Sequence, residues 1–221
     1  YIIDYKTNDD KKPLIEIIAD MESNGIKVKK DNLLQLSENF SKQLAKLQDK
    51  IFLCSSSEFN INSTKQLGEI IFDKLKIPGA KKNKSGSFST NSEVLETLAE
   101  QGYEIASLVL SWREISKLKN TYTESLTNNI SNKTNRVHTT IQMTGAQTGR
   151  FSSTDPNLQN IPIKSKNGKE IRKAFVSEKD YKLVCFDYSQ IELRLLAEIA
   201  KIEELRKAFN QGLDIHKLTA S

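Results

Sequence analysis

The chain has 221 residues, enough for one large domain or two modest ones with real cores. It is 37% apolar with a mean hydropathy of −0.51, and no apolar run approaches the roughly 20 residues of a membrane span, so no spanning helix is expected and a polar protein rich in helix is. Lys and Arg number 33 against 28 Asp and Glu, a net charge of +5, which is compatible with nucleic acid without demonstrating it. Cys54 and Cys185 offer neither metal spacing nor a disulfide framework, which fits a reducing cytoplasm.

Residues 1–12 read as a polar linker, without the character of a signal sequence. Pro13 opens a helix whose stripe is Leu14, Ile17, Ile18 and Met21, and Gly25 closes it. Asp31 is placed as the cap of a long second helix carrying Leu33, Leu34, Leu36, Phe40, Leu44, Leu47 and Ile51. This amphipathic pair predicts an antiparallel helical arm. Ser55 to Ser57 break the second helix. Ser63 and Gln66 have capping-box spacing ahead of Leu67, Ile70, Ile71 and Leu75, and Thr90 with Glu93 start a further helix bearing Val94, Leu95 and Leu98. A fifth helix is predicted from about Glu104 through Trp112 to about Leu126, with Trp112 in the core.

After Asn128 the texture changes. Val137–Gln142, Ile171–Val176 and Lys182–Asp187 have strand composition, and residues 144–166 read as an ordered loop rich in Gly, Ser, Thr, Asn and Pro. From Ser189 a helix returns with Leu193, Leu196 and Ile199 on one face; Gly212 breaks it, and Asp214 caps another that has barely begun at Ser221. The fold class expected is α+β, mainly helical: a helical arm, then a mixed body with a small antiparallel sheet short of strands, the whole reading as a fragment.

Two segments carry chemistry. In Val184–Glu192 an apolar strand ends in Asp187, and Glu192 follows about one and a half helical turns later. A carboxylate on a rigid strand end suits a divalent cation such as Mg²⁺; it equally suits the cap of the next helix, and the segment alone leaves both open. In Thr148–Pro162, one Arg, two Asn and one Gln offer forked donors and acceptors that could test base-pair geometry in a minor groove. The alternative is an Asx-rich loop whose amides satisfy its own backbone. His138 reads as structural.

Together these segments resemble the family A DNA polymerases. Thr148–Pro162 is similar to that family's TGR-x-SS-x-x-PNLQNIP stretch, Asp187–Arg194 to its motif A, DYSQIELR, and Asp214–His216 to the DIH element downstream of it. Phe59–Leu67 and Lys117–Thr123 are similar to the family's thumb sequences, and the resemblance runs in order from about Pro13 to Ser221.

The resemblance implies a helical thumb over 13–127 and a partial palm over 128–221, with residues 1–12 leading from an upstream proofreading-type domain. It implies template-directed DNA synthesis in replication and repair, with dNTP and primer–template DNA as partners, no membrane, a monomer, and a cytoplasmic setting. Asp187 would bridge two Mg²⁺ ions, with the backbone carbonyl of Tyr188 a further ligand. Ser189 and Gln190 would line the incoming nucleotide, Glu192 would be the steric gate against ribose, and His216 would touch the triphosphate. Arg150, Asn157, Gln159 and Asn160 would hold the strands at the primer terminus. Arg113 and Lys117, one turn apart, would grip the duplex backbone; a solvated helix face is the bland alternative. Ser63, Thr64 and Lys65 would meet a phosphate at a helix start, and Lys81–Lys84 would form the thumb tip. The family's fingers helix and second metal-binding aspartate would lie beyond Ser221, so the 221 residues alone are expected to be inactive and to hold Mg²⁺ poorly. A duplex-binding module without catalysis is the alternative, and a metal-dependent phosphohydrolase using Asp187 and Glu192 a more remote one.

Overall fold

The structure is a computed structural model and describes residues 12–82 and 86–213. The chain divides into two compact units, residues 1–181 and 182–221. Among the described residues no helix is long and apolar enough to cross a membrane.

The first unit begins with α1 (Lys12–Asn24), which has Pro13 in its first turn, where a missing N–H removes no intrahelical bond. Gly25 ends α1 at φ +57°, its N–H donating to the Met21 carbonyl at 2.9 Å. After β1 (Ile26–Lys27) comes α2 (Lys30–Ser55), which at 1.5 Å per residue is about 39 Å long. Its N-cap is Lys29, with no side-chain cap, so Asp31 lies in the first turn instead of capping it. There its charge still favours the positive end of the helix. The chief packing partner of α2 is the helix Glu104–Leu118, α5 in chain order, whereas α1 lies against the strand Thr140–Gln142. The predicted pairing of the first two helices therefore gives way to a pairing of the second and fifth. The reason is apolar width: α5 buries Ile105, Ala106, Val109, Trp112, Ile115 and Leu118, far more than the short stripe of α1 can offer.

Two cores form along this pair. In the first, Ile51 of α2 meets Leu67, Ile71, Leu95, Leu98, Val109 and Trp112. In the second, Leu33 and Phe40 meet Ile115, Leu118, Tyr122, Leu126, Val137, Ile161 and Ile171. Burying each such aliphatic side chain contributes about 1.5–3 kcal/mol against unfolding.

Between α2 and α5 in the chain lie α3 (Thr64–Gly68), which continues as a π-helical segment to Lys74, and α4 (Ser92–Glu100). The Ser63 hydroxyl accepts from the Gln66 N–H at 3.3 Å, but the Gln66 side chain reaches back to the Asn60 N–H, so only half of the expected capping box forms. The cap of α4 is Asn91, whose Oδ1 accepts from the Val94 N–H at 3.0 Å; Thr90, expected there, is buried and faces Arg113. Of the expected thumb tip, Asn83 and Lys84 lie outside the described residues; Lys82 is bridged to Phe88. The fifth helix runs on from α5 through a π-helical segment, Lys119–Glu124, into α6 (Ser125–Asn128).

The expected strand over 137–142 is split. β2 (Arg136–Val137) pairs antiparallel with β1, whereas β3 (Thr140–Gln142) pairs antiparallel with β4 (Ser152–Thr154). His138 sits at the split, facing the Glu22 carbonyl at 2.8 Å through Nδ1 and Thr134 at 2.7 Å through Nε2, a structural role as read. Arg136 binds the Asn24 and Gly25 carbonyls, where a cation suits the end of α1, and shares Glu178 with Lys27. The Lys27 hydrogen bond, then Arg136, holds the Glu178 carboxyl below its usual range. The strand expected over 171–176 is instead the end of α7 (Lys166–Arg172) and a single bridge from Phe175 to Val28. Ile171 and Ala174, both fully buried, are three apart, the helical repeat that brings them to one face.

The second unit opens with residues 182–188, exposed and outside any sheet, not the strand expected over 182–187. Phe186 is 93% and Val184 66% exposed: apolar composition alone does not make a strand without a neighbour to pair its backbone. The single helix expected from Ser189 to Gly212 is two, α8 (Ile191–Ile199) and α9 (Glu203–Asn210), separated where Lys201 turns left-handed at φ +53°. Asp214, expected to cap a further helix, lies outside the described residues.

Candidate functional site

In the first unit the loop after β4 is fastened from within. Thr139 Oγ1 meets Ser153 Oγ and donates toward the carbonyls of Thr154 and Pro156, while buried Ser153 accepts from the Leu158 N–H at 3.0 Å. Asn157 Oδ1 accepts from the N–H groups of Gln159 (3.0 Å) and Asn160 (3.2 Å), and Gln159 Nε2 donates to the Phe151 carbonyl at 3.0 Å. Of the two readings the sequence left open, the structure shows the one in which these amides hold their own loop. One end of Asn157 and of Gln159 shapes the loop, and the side chains of Asn157, Gln159 and Asn160 remain exposed at its surface. Arg150 is exposed beside Phe151 and Gln159. At the far end, Arg172 of α7 donates to the Ile161 (3.0 Å) and Pro162 (3.2 Å) carbonyls.

The structure brings this loop against the fifth helix. Lys117, Leu118, Thr121 and Tyr122 on one side and Asn157, Asn160 and Lys164 on the other line a groove of about 610 Å³. The Tyr122 hydroxyl crosses it to donate to the Asn160 carbonyl. Lys117 is exposed; its predicted companion Arg113, one turn earlier, is half-buried and donates to Thr90, both carbonyl and hydroxyl. Burial lowers the Arg113 pKa, but from a value so high that it stays cationic. Arg113 lines a separate polar hollow with Asn62, Thr64 and Ser92. Ser63 is spent on its helix cap, whereas Thr64 and Lys65 are exposed.

In the second unit Asp187 and Ser189 are exposed, and Tyr188 is 80% exposed. The N-cap of α8 is Gln190, left-handed at φ +53°, so Asp187 does not cap this helix. Glu192 is exposed in the first turn, and the Ser189 carbonyl accepts from Arg194 Nε at 2.9 Å. His216 lies outside the described residues. Among the described residues no three His, Cys, Asp or Glu side chains group as a metal site. Mg²⁺ asks for near-octahedral oxygen ligation, and the described residues do not complete such a site.

Sequence reasoning missed Tyr122, Arg172, Thr139 and Ser153. All act through atoms that sequence spacing does not reveal: Tyr122 lies 38 residues from its partner and is read only as part of the Lys117–Thr123 stretch.

Residues 30–221, which include both the loop and the Asp187 stretch, match the model of DNA polymerase family A. The chain belongs to DNA polymerase family A. Family A relatives to which it is similar include DNA polymerase I of Rhizobium leguminosarum, 46% identical over 211 residues, which are 96% of this chain and 21% of that protein. DNA polymerase I of Bacillus subtilis (strain 168) is 47% identical over 209 residues, 94% of this chain and 24% of that one. The chain thus spans about a fifth to a quarter of the length of these curated relatives. Among solved structures, the POL domain of Pol1 from M. smegmatis, in complex with DNA primer-template and dNTP, superposes with a TM-score of 0.83 at 38% identity, over 92% of this chain and 36% of that one. The helical arm with its small antiparallel sheets is therefore a family A architecture.

Proposed function

We propose that this chain is part of a template-directed DNA polymerase that transfers nucleotides from dNTP to a primer 3′ end in replication and repair. In this reading residues 13–127 are the thumb and 128–221 part of the palm. The protein works as a monomer in the cytoplasm, where Cys54 and Cys185 stay thiols. One observation carries the reading: the groove where exposed Lys117 on the helical arm faces the exposed amides of Asn157 and Asn160. A cation suited to a backbone phosphate stands beside groups suited to base edges, the two kinds of contact by which duplex is positioned and inspected. Arg150 and Gln159 extend the inspecting surface, and Thr64, Lys65 and Arg113 add backbone contacts farther along the arm. Asp187 and the carbonyl of Tyr188 are the residues that would hold Mg²⁺ in part, and the ion would supply charge neutralisation in phosphoryl transfer. Ser189 and Gln190 would line the nucleotide, and the triphosphate contact expected of His216 falls outside the described residues.

Primer–template affinity measured against salt tests the reading. Lys117→Ala should weaken binding uniformly across sequences and reduce the slope of log K on log salt by about 1. An unchanged slope would remove Lys117 from the duplex interface, and the groove would lose its assignment.

Glu192 has the gate role in this reading, its side chain occupying the space a ribose 2′-hydroxyl needs. Glu192→Ala in the full-length protein should raise ribonucleotide incorporation relative to deoxyribonucleotide, measured as the ratio of kcat/KM values. The same ratio in variant and parent would end that assignment.

A further inference from the structure

We infer that the Tyr122 hydroxyl is a positioning group that fixes the 157–162 loop to the fifth helix, so that Lys117 and the loop amides meet the primer end as one rigid surface. The inference rests on the duplex-binding reading of the groove and names how that groove is held in shape.

Tyr122 is 4% exposed, its ring packed in the second core with Leu118, Leu126 and Ile161. A buried phenol needs a partner for its hydroxyl, and Tyr122 finds it in the Asn160 carbonyl across the groove. Burial raises its pKa, so the hydroxyl keeps its proton at neutral pH and donates. The Asn160 backbone is thereby held at both polar groups: the N–H by Asn157 Oδ1, the carbonyl by Tyr122. Its side chain is left exposed at the groove.

The backbone of the fifth helix is built for this reach. Tyr122 lies inside the π-helical segment Lys119–Glu124, and the Lys119–Glu124 ion pair spans five residues, the repeat of a π turn. One extra residue in a turn rotates the later part of a helix by about 100° around the axis relative to the earlier part. The segment thus sets the angle between Lys117, before it, and Leu126, beyond it, while Tyr122 keeps its ring in the core and its hydroxyl over the groove. Such single wide turns concentrate at functional sites.

A purely structural tyrosine and a positioning tyrosine differ in what Tyr122→Phe disturbs. The substitution keeps the ring in the core and removes only the donor. In the full-length protein, positioning predicts primer–template binding about 2- to 10-fold weaker, the usual worth of one net hydrogen bond. It also predicts that Lys117→Ala and Asn157→Ala, non-additive in duplex affinity in the parent, become additive in the Tyr122→Phe background. Amide hydrogen exchange should quicken over 157–162 while α2 and α5 keep their protection. Parental affinity with parental coupling would overturn the inference. So would faster exchange spread through both cores, which marks a structural role alone. If Lys117→Ala and Asn157→Ala leave parental duplex affinity untouched, the failure lies in the duplex-binding reading itself, and the inference goes with it.

Discussion

Asp187→Asn in the full-length protein is expected to lower nucleotide incorporation by several orders of magnitude while leaving primer–template affinity nearly intact. The substitution is isosteric and removes only charge. Asp187 is exposed on an extended stretch, three residues before the N-cap of α8, so neither packing nor a helix cap is lost with it. Stability should therefore hold, and any fall in rate belongs to chemistry. In the proposed reaction negative charge moves between oxygens during in-line phosphoryl transfer, and the protein contributes mainly positioning and electrostatic stabilisation. Loss of one hydrogen-bond donor aimed at a transition state costs about 10²–10³ in rate, and loss of a full carboxylate charge at a metal should exceed that. Single-turnover incorporation with saturating DNA gives the rate, equilibrium binding the affinity, and thermal unfolding the control. Parental turnover would remove Asp187 from the reaction. A parallel loss of rate and affinity would make it a binding residue instead.

Gly25→Ala is expected to destabilise the first unit by about 3 kcal/mol or more, a large part of the roughly 5–15 kcal/mol that holds a typical domain. Gly25 has φ +57°, where a side chain is strained, and a Cβ built there would lie 2.5 Å from the Val137 carbonyl oxygen and 2.7 Å from His138 Nδ1. Neither neighbour can yield cheaply. Val137 is fully buried in the second core and pairs with Ile26, and His138 is tied to Glu22 and Thr134. Gly102 supplies the control: its φ is +90°, but nothing lies within 4 Å of a Cβ there. Gly102→Ala should cost only about 1 kcal/mol, the backbone term alone. Urea unfolding of the two variants measures the difference. Equal losses would mean that the crowding at Gly25 has no energetic weight.

The longer helices of the first unit were legible because each buries one face, although Ile17 and Met21 of the α1 stripe and Leu34 of the α2 stripe are exposed. Leu33, Phe40 and Ile51 of α2, and Val94, Leu95 and Leu98 of α4, are the buried positions that their spacing predicts. Caps were less legible. Asp31 and Thr90 are chemically fit to cap, yet Lys29 and Asn91 hold those positions, because the entry of the chain is set by what lies before the helix. Strands were the least legible. Ile171–Val176 and Lys182–Asp187 have β-branched and apolar residues, but one segment is drawn into α7 and a bridge, and the other is exposed without a sheet.

The site divides in the same way. Residue types were readable: an acid beside Tyr188, amides and an arginine in a turn-rich loop, cations one helical turn apart on the fifth helix. Their surroundings were not. Arg113 and Lys117 look equivalent in the sequence, yet the first is tied to Thr90 and the second is exposed at the groove.

The sequence by itself determined family membership, the helical periodicities, and which side chains carry charge or forked hydrogen-bonding groups, since these depend on local order along the chain. Tertiary structure alone decided that α2 would pair with α5, that a π turn would carry Tyr122 to the Asn160 carbonyl, and that Lys117 would face Asn157 across one groove. Those outcomes depend on which buried faces compete best for one another across dozens of residues, and a local pattern holds no information on that competition.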